Sequence, residues 1–277
     1  MDYKMVVLDL DGTLLDDEKL ISDKNAYILK ELHSKGIQIV IATGRNYHMA
    51  KNLTEKIKSL QPTILSNNGA VTRYSHNDKL IESNYLDYST FKEIYEMGRQ
   101  HNLNPIIHVD GYYEGYDLIY ECENYEEAYL GYIKGDLRRA RLKNFNSNPI
   151  NNILSVCYYE DFHKLIKLQK DVQNVIGRFN TILNINISKR ALLEFLHVNG
   201  CKWCALKSHI ENLGIKEEQV IAMGDDNNDI PLIKNAGIGI AMKNATQECK
   251  GVADYISRKS NNESGVYYEL SEIFEIY

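Results

Sequence analysis

Two aspartates stand two residues apart at the end of a short apolar run, in Met5-Val6-Val7-Leu8-Asp9-Leu10-Asp11-Gly12-Thr13. The run lacks helical spacing and is partly β-branched, so it reads as a buried strand, and Asp11-Gly12 supplies a turn. Both carboxylates then lie at the strand's carboxyl end, where open α/β sheets bind their ligands. Alternation sets Asp9 and Asp11 toward the same side. A lone Asp-Gly is commonly just a turn, but Asp9 is not needed for one. A second acidic cluster, Gly224-Asp225-Asp226-Asn227-Asn228-Asp229, closes another buried apolar run at residues 219–223. Two such clusters converging on one face bring several negative charges together, which raises pKa values or demands a counter-ion. Hard oxygen ligands in this number suit Mg²⁺. We expect Mg²⁺ at Asp9, Asp225 and the main-chain carbonyl of Asp11, with Asp229 orienting a water or a neighbouring lysine and Asp226 outside direct ligation. Acids with a metal and no base-like histidine point to phosphoryl chemistry, in which one carboxylate attacks and charge neutralisation supplies most of the catalysis.

The elements that must position these residues alternate. Ser22 is a good N-cap, and Ile28, Leu29 and Leu32 follow at helical spacing until Gly36. Residues 37–42 read as a second buried strand ending in Thr43-Gly44-Arg45, then a helix spans about 47–60 and a third strand 63–65. That strand ends at Asn67-Asn68-Gly69-Ala70, where Asn-Gly signals a hairpin. From about residue 84 the texture changes: tyrosines are frequent, Asp110-Gly111 suggests a hairpin, a helix is expected over 124–134, strands over 153–159 and 182–187, and a helix over 162–176. A strand over 192–198 reads as the return to the outer domain. A helix over 202–213, short strands at 236–241 and 254–256, and a terminal helix over 265–274 complete it. The expected fold is α/β: a Rossmann-like parallel-sheet core, residues 1–83 and 190–277, with an inserted α+β cap over 84–189.

With 44% hydrophobic and 25% charged residues the chain has a globular composition, and no apolar stretch reaches spanning length, so no membrane role is expected. Met1-Asp2-Tyr3-Lys4 runs straight into the first strand, leading us to expect no signal peptide and a cytoplasmic location. A net charge of −6 argues against a nucleic-acid partner. The basic run Arg138, Arg139, Arg141 and Lys143 follows Glu121, Glu123, Glu126 and Glu127 and reads as a solvated helix face. Five cysteines without framework spacing read as free thiols. Cys201-Lys202-Trp203-Cys204 matches C-x-x-C, but a zinc site needs two further ligands, and a redox pair belongs beside a thioredoxin-like pattern that is absent here. Tyr112, Tyr113, Tyr116, Tyr158 and Tyr159 are expected to cover a sheet face, and His108 and His197 to be satisfied strand residues.

Asp9-Leu10-Asp11-Gly12-Thr13, Thr43-Gly44-Arg45, Lys202 and Gly224-Asp225-Asp226-Asn227-Asn228-Asp229 resemble, in order and separation, the four motifs of the haloacid dehalogenase-like hydrolases. The insert, with Asn68-Gly69-Ala70 and Ile240-Ala241-Met242-Lys243-Asn244-Ala245, is similar to the Cof-type (IIB) sugar-phosphatase-like branch. The resemblance implies Asp9 as nucleophile forming an aspartyl-phosphate and Asp11 as the acid that protonates the leaving oxygen and then activates water. Thr43 would donate to a phosphoryl oxygen, and Lys202 would neutralise the nucleophile and the phosphoryl group. Gly44, Arg45, Asn68 and Asn228 fall to substrate binding. The glycine usual after the motif lysine is Trp203 here, which implies a more crowded mouth to the site.

A Mg²⁺-dependent phosphomonoesterase acting on small organic phosphates, with the insert as lid, is the leading expectation. A sugar phosphomutase would pass the phosphoryl group to a second hydroxyl. A non-catalytic phosphate or metal sensor would bind Mg²⁺ without turnover, and would have no use for an acid, a lysine and a lid together.

Overall fold

The computed structural model describes residues 2–121, 131–135, 137–145, 149–176, 179–187 and 190–276. The helix expected over 124–134 lies mostly outside these residues, as do Cys122, Glu123, Glu126 and Glu127. The chain forms two compact units, Met1–Ser83 with Cys201–Tyr277, and Asn84–Gly200.

The first unit is built on an eight-stranded sheet. Its strands are β1 (Met5–Leu8), β2 (Gln38–Ala42), β3 (Thr63–Ser66), β4 (Val71–Tyr74), β5 (Leu80–Ser83), β12 (Val220–Gly224), β13 (Ile238–Ala241) and β14 (Tyr255–Ile256), in the order β14-β13-β12-β1-β2-β3-β4-β5. From β14 to β3 the pairing is parallel, whereas β3, β4 and β5 form antiparallel hairpins. The hairpin signalled by Asn68-Gly69 is where the parallel pairing ends, because the tight 67–69 turn leaves no room for a crossover helix. β1 is fully buried, as an apolar run with helices covering both faces requires.

Local signals set the helices. The Ser22 side chain accepts from the Asn25 amide and starts Asp23–Ser34, whose Ile28, Leu29 and Leu32 are buried. The segment expected as one helix over 47–60 is Tyr47–Leu53 followed by a 3₁₀ turn, Glu55–Leu60, with non-helical backbone at Ile57. Ala205, Leu206 and Ile210 of the Lys202–Leu213 helix pack on Val7, Val40, Leu65 and Ala222 of the sheet. Trp203 packs against this same cluster. Its half-buried indole thus meets apolar core on one side.

The second unit carries β6 (Ile106–Val109), β7 (Leu118–Tyr120), β8 (Ala140–Leu142), β9 (Ile153–Glu160), β10 (Phe179–Ile187) and β11 (Arg190–His197), in the order β10-β11-β9-β6-β7-β8. Phe91 and Ile94 of the Tyr88–Gln100 helix and Leu165, Leu168 and Val172 of the Phe162–Val175 helix pack with Val156, Tyr158, Leu193 and Phe195. The alternate residues Cys157, Tyr159 and Leu192 form a separate apolar cluster with Ile106, Leu118 and Ile133.

β11 corrects the expected boundary. It pairs antiparallel with both β9 and β10, so it belongs to the insert's sheet and the chain recrosses at 200/201, not 189/190. The basic run is corrected too: Ala140–Leu142 is an edge strand, Arg139 makes a two-toothed pair with Asp117, and the guanidinium of Arg141 lies 4.1 Å from the Tyr116 ring centroid. The tyrosines divide, with Tyr158 and Tyr159 in the core and Tyr113 68% exposed. His108 is buried against the Tyr132 hydroxyl, and His197 Nδ1 accepts from the Asn199 amide.

Candidate active site

Strand register assembles the site. Leu8 is level with Met223 on one side and Ile41 on the other, so the residues after β1, β12 and β2 emerge at one sheet edge. The Asp9 amide donates to the Met223 carbonyl, and the Thr43 amide to the Leu65 carbonyl. Lys202, the first residue of its helix, is buried and donates from Nζ to Asp9 Oδ1 and Asp229 Oδ1, each at 2.6 Å. Asp229 Oδ2 accepts from the amides of Asp225 and Asp226, and Asp225 Oδ1 accepts from the Thr13 hydroxyl at 2.9 Å. Asp226 points away, with its side chain accepting from the Asn227 amide.

Carboxylate oxygens of Asp9, Asp225 and Asp229 lie within 4.8 Å of one another, a spacing that one hard divalent cation spans. The electrostatics fit a cation as well. Burial drives the Asp9 carboxyl well above its ordinary value despite the Lys202 ammonium, and Asp229 and Asp225 add to the rise. Burial and the Asp229 charge push Asp225 up to about 7, against the Thr13 hydrogen bond and Lys202. For Lys202 burial works against the ammonium, but Asp229 and Asp9 outweigh it and hold it above its usual value. One lysine against two buried acids and a half-buried third leaves the cluster under-neutralised. Gly12 is part of this crowding: its φ is +78°, and a Cβ there would collide with the Asp225 carboxylate.

Asp11 has a different environment. Its carboxylate receives Arg45 Nε at 2.5 Å, Arg45 Nη2 at 2.7 Å and Lys19 Nζ at 2.8 Å. Burial raises this carboxyl, but Arg45 and Lys19 outweigh it and hold it at about 2. The strand alternation expected to set both side chains toward the same side ends with β1 at Leu8, and the following turn brings the Asp11 carboxylate to Arg45 in the loop after β2. This carboxylate lies outside the Asp9, Asp225 and Asp229 oxygen cluster.

The remaining residues frame this group. Thr43 is buried and its Oγ1 accepts from the Arg45 amide; the helix that follows is capped by Asn46. Asn67 and Asn68 take φ of +49° and +57°, and their amides donate to the carbonyls of Arg45 and Thr43. Asn68 Oδ1 accepts from Asn228 Nδ2 at 2.9 Å, and Gly44 lies against the Asn68 amide group. All ten residues singled out from sequence as site residues therefore fall in the first unit around one sheet edge, in two linked groups. Two contributors went unrecognised. Lys19 sits at φ +62° in the turn after β1, where only a fold could bring it back to Asp11. Asn261 donates from its amide to Asn244 Oδ1, and Asn244 in turn holds the Gly12 carbonyl.

Among the described residues no helix is long and apolar enough to cross a membrane. Residues 6–270 match the profile of the haloacid dehalogenase-like hydrolase family. A 5-amino-6-(5-phospho-D-ribitylamino)uracil phosphatase of Bacillus subtilis is 30% identical over 276 residues, covering 96% of this chain and 94% of that protein. A crystal structure of a haloacid dehalogenase-like hydrolase from Bacteroides thetaiotaomicron superimposes with a TM-score of 0.80 at 30% identity, over 98% of this chain and 100% of the other. The fold also matches a subclass IIB sugar phosphatase with a TM-score of 0.79 at 23% identity, over 99% and 100% of the two chains.

Proposed function

We propose, from the premise that this chain belongs to the haloacid dehalogenase-like hydrolases, that it is a phosphatase cleaving small organic phosphate monoesters through an aspartyl-phosphate on Asp9 with the help of Mg²⁺. Phosphatase activity toward small phosphates follows from the family and from relatives matched over nearly their whole length. The finer reading is carried by one observation: Lys202 Nζ bridges Asp9 and Asp229 within a cluster of three acids.

In this reading Asp9 attacks phosphorus in line, and the bond to the leaving oxygen breaks. Lys202 offsets the charge that Asp9 and the phosphoryl group bring together. Asp11 gives a proton to the leaving oxygen, then takes one from the water that cleaves the aspartyl-phosphate. Asp11 is ionised while Arg45 and Lys19 hold it, so the acid role requires the arriving anionic ester to draw Arg45 onto itself. Thr43 and Asn228 would donate to phosphoryl oxygens, with Asn68 and Gly44 shaping the turn beside them. Asp9, Asp225, Asp229 and the Asp11 carbonyl would hold Mg²⁺, which when bound supplies charge neutralisation at the phosphoryl oxygens.

The substrate class is sugar phosphates or phosphorylated cofactor precursors. The 30%-identical relative supports including a pyrimidine that bears a phosphorylated ribityl chain. The inserted unit would select among them. The test is a panel of small phosphate esters assayed for phosphate release with Mg²⁺ and with chelator, using wild type and Asp9→Asn. Turnover by wild type with Mg²⁺ alone, abolished in the variant, is the expected result; retained turnover in Asp9→Asn would remove Asp9 as nucleophile.

A further inference from the structure

The pair Cys201 and Cys204 flanks the buried lysine of the site, and no step of the proposed reaction uses it. Cys201 is the N-cap of the Lys202–Leu213 helix and its sulfur accepts from the Cys204 amide at 3.0 Å, so the two cysteines share the first turn. Their Cα atoms are 5.3 Å apart, within bridging range, and the sulfurs are joined. We propose that Cys201 and Cys204 are a reversible redox modification site, a dithiol–disulfide clasp that holds the helix turn presenting Lys202.

Three observations support the clasp. Among the described cysteines both of this pair are half-buried, whereas Cys157 and Cys249 are fully buried, so a small dithiol reaches this pair in preference to those two. Thiolates are favoured at a helix N-terminus, which speeds exchange in either direction. The turn they close also touches the site on two sides. Lys202 lies inside it, and the Cys201 carbonyl presses on Gly69, where a Cβ would lie 2.5 Å from that oxygen. Gly69 directly follows Asn68, which accepts from Asn228. So short a cross-linked loop gains little chain-entropy stabilisation, so its effect is a local constraint on Lys202.

The chemistry balances without a cofactor. A thiolate of a reducing dithiol attacks one sulfur, the Cys201–Cys204 bond breaks, and a mixed disulfide forms. The second thiol of the reductant then attacks the reductant sulfur of that mixed disulfide and displaces the cysteine still bound there, so two electrons and two protons pass to the pair and the reductant leaves as its own disulfide. The bonded state has Lys202 seated between Asp9 and Asp229. Reduction releases the turn and lowers turnover.

The functional consequence rests on the phosphatase reading, but the modification does not. The full chain is equilibrated with dithiothreitol and its oxidised form in defined ratios, then alkylated and weighed. Amide hydrogen exchange across residues 201–206 and phosphate release are measured in parallel. We expect a two-electron titration of this pair alone, faster exchange when reduced, and turnover roughly tenfold lower, within the hundredfold that a 1 Å misplacement can cost. The double variant Cys201→Ser/Cys204→Ser keeps a good N-cap, and it holds the reduced-state activity at every ratio. Alkylation of both thiols at all ratios, exchange unchanged on reduction, or a response surviving in the double variant would each overturn the clasp. Responsive thiols and exchange with no turnover in either state would uphold it and sink the phosphatase reading instead.

Discussion

Arg45 spans the Asp11 carboxylate, donating from Nε to Oδ2 at 2.5 Å and from Nη2 to Oδ1 at 2.7 Å. Lysine cannot reproduce this planar fork. If Arg45 transfers its grip to the ester, Arg45→Lys and Arg45→Ala raise KM by roughly tenfold or more, in line with about 1.5–3 kcal/mol for hydrogen bonds to charged groups. Steady-state kinetics check this. The pair also links stability to acid: the Asp11 pKa is lowered on folding, so its contribution is present above the ordinary carboxyl range and is lost as pH falls toward 2. Arg45→Ala flattens that acid limb in a thermal melt.

Proton release should accompany metal binding. Asp225 is pushed up to about 7, so near neutrality a cation competes with a proton there, and Mg²⁺ affinity rises with pH until it levels above about 7. Calorimetric titration at pH 6 and 8, in buffers of different ionisation heat, is the check. Equal affinity with no proton release would be the contrary outcome.

Removing the bridging ammonium strands two buried acids. Lys202→Met should destabilise the fold by about 3–5 kcal/mol, the range for breaking a buried ion pair from one side, and lower kcat by about 10²- to 10³-fold. Added Mg²⁺ should recover more stability in this variant than in wild type, because the ion binds only the folded state. Denaturant melts with and without Mg²⁺ measure this.

In the inserted unit Glu194 faces Cys157 across β11 and β9, and burial pushes its carboxyl up to about 7. The unfolded chain therefore ionises first as pH climbs, and stability falls from the ordinary carboxyl range until Glu194 itself ionises near 7. Glu194→Gln removes this loss. Its advantage over wild type should be absent at pH 4 and reach on the order of 3 kcal/mol at pH 8. Melting temperatures across that range decide it.

What could be read in advance was whatever local chemistry dictates. β1, β2, the Ser22 cap and the Lys202–Leu213 helix follow from apolar runs and capping residues adjacent in the chain. The helix Tyr88–Gln100 was also marked, by the Asp87 cap and by Phe91, Ile94, Tyr95 and Gly98 at helical spacing, but tyrosine-rich neighbours obscured it. Other features were hidden in principle. Whether β11 joins one sheet or the other depends on partners far along the chain, and its apolar run fits either. The acids of the site were legible by type, yet the division between Asp9 with Lys202 and Asp11 with Arg45 and Lys19 depends on how a turn redirects one side chain.

The placement of β1 between β2 and β12 has a consequence for biogenesis. On the ribosome, the Met5–Leu8 segment emerges long before residues 220–224, while the inserted unit can close on itself in between. Each nascent chain thus passes through a stage in which an apolar strand has one main-chain flank unmatched, a geometry prone to sticking to other chains. Synthesis arrested anywhere before Val220 should leave a product that holdase chaperones retain, and the outer unit should be the last to mature.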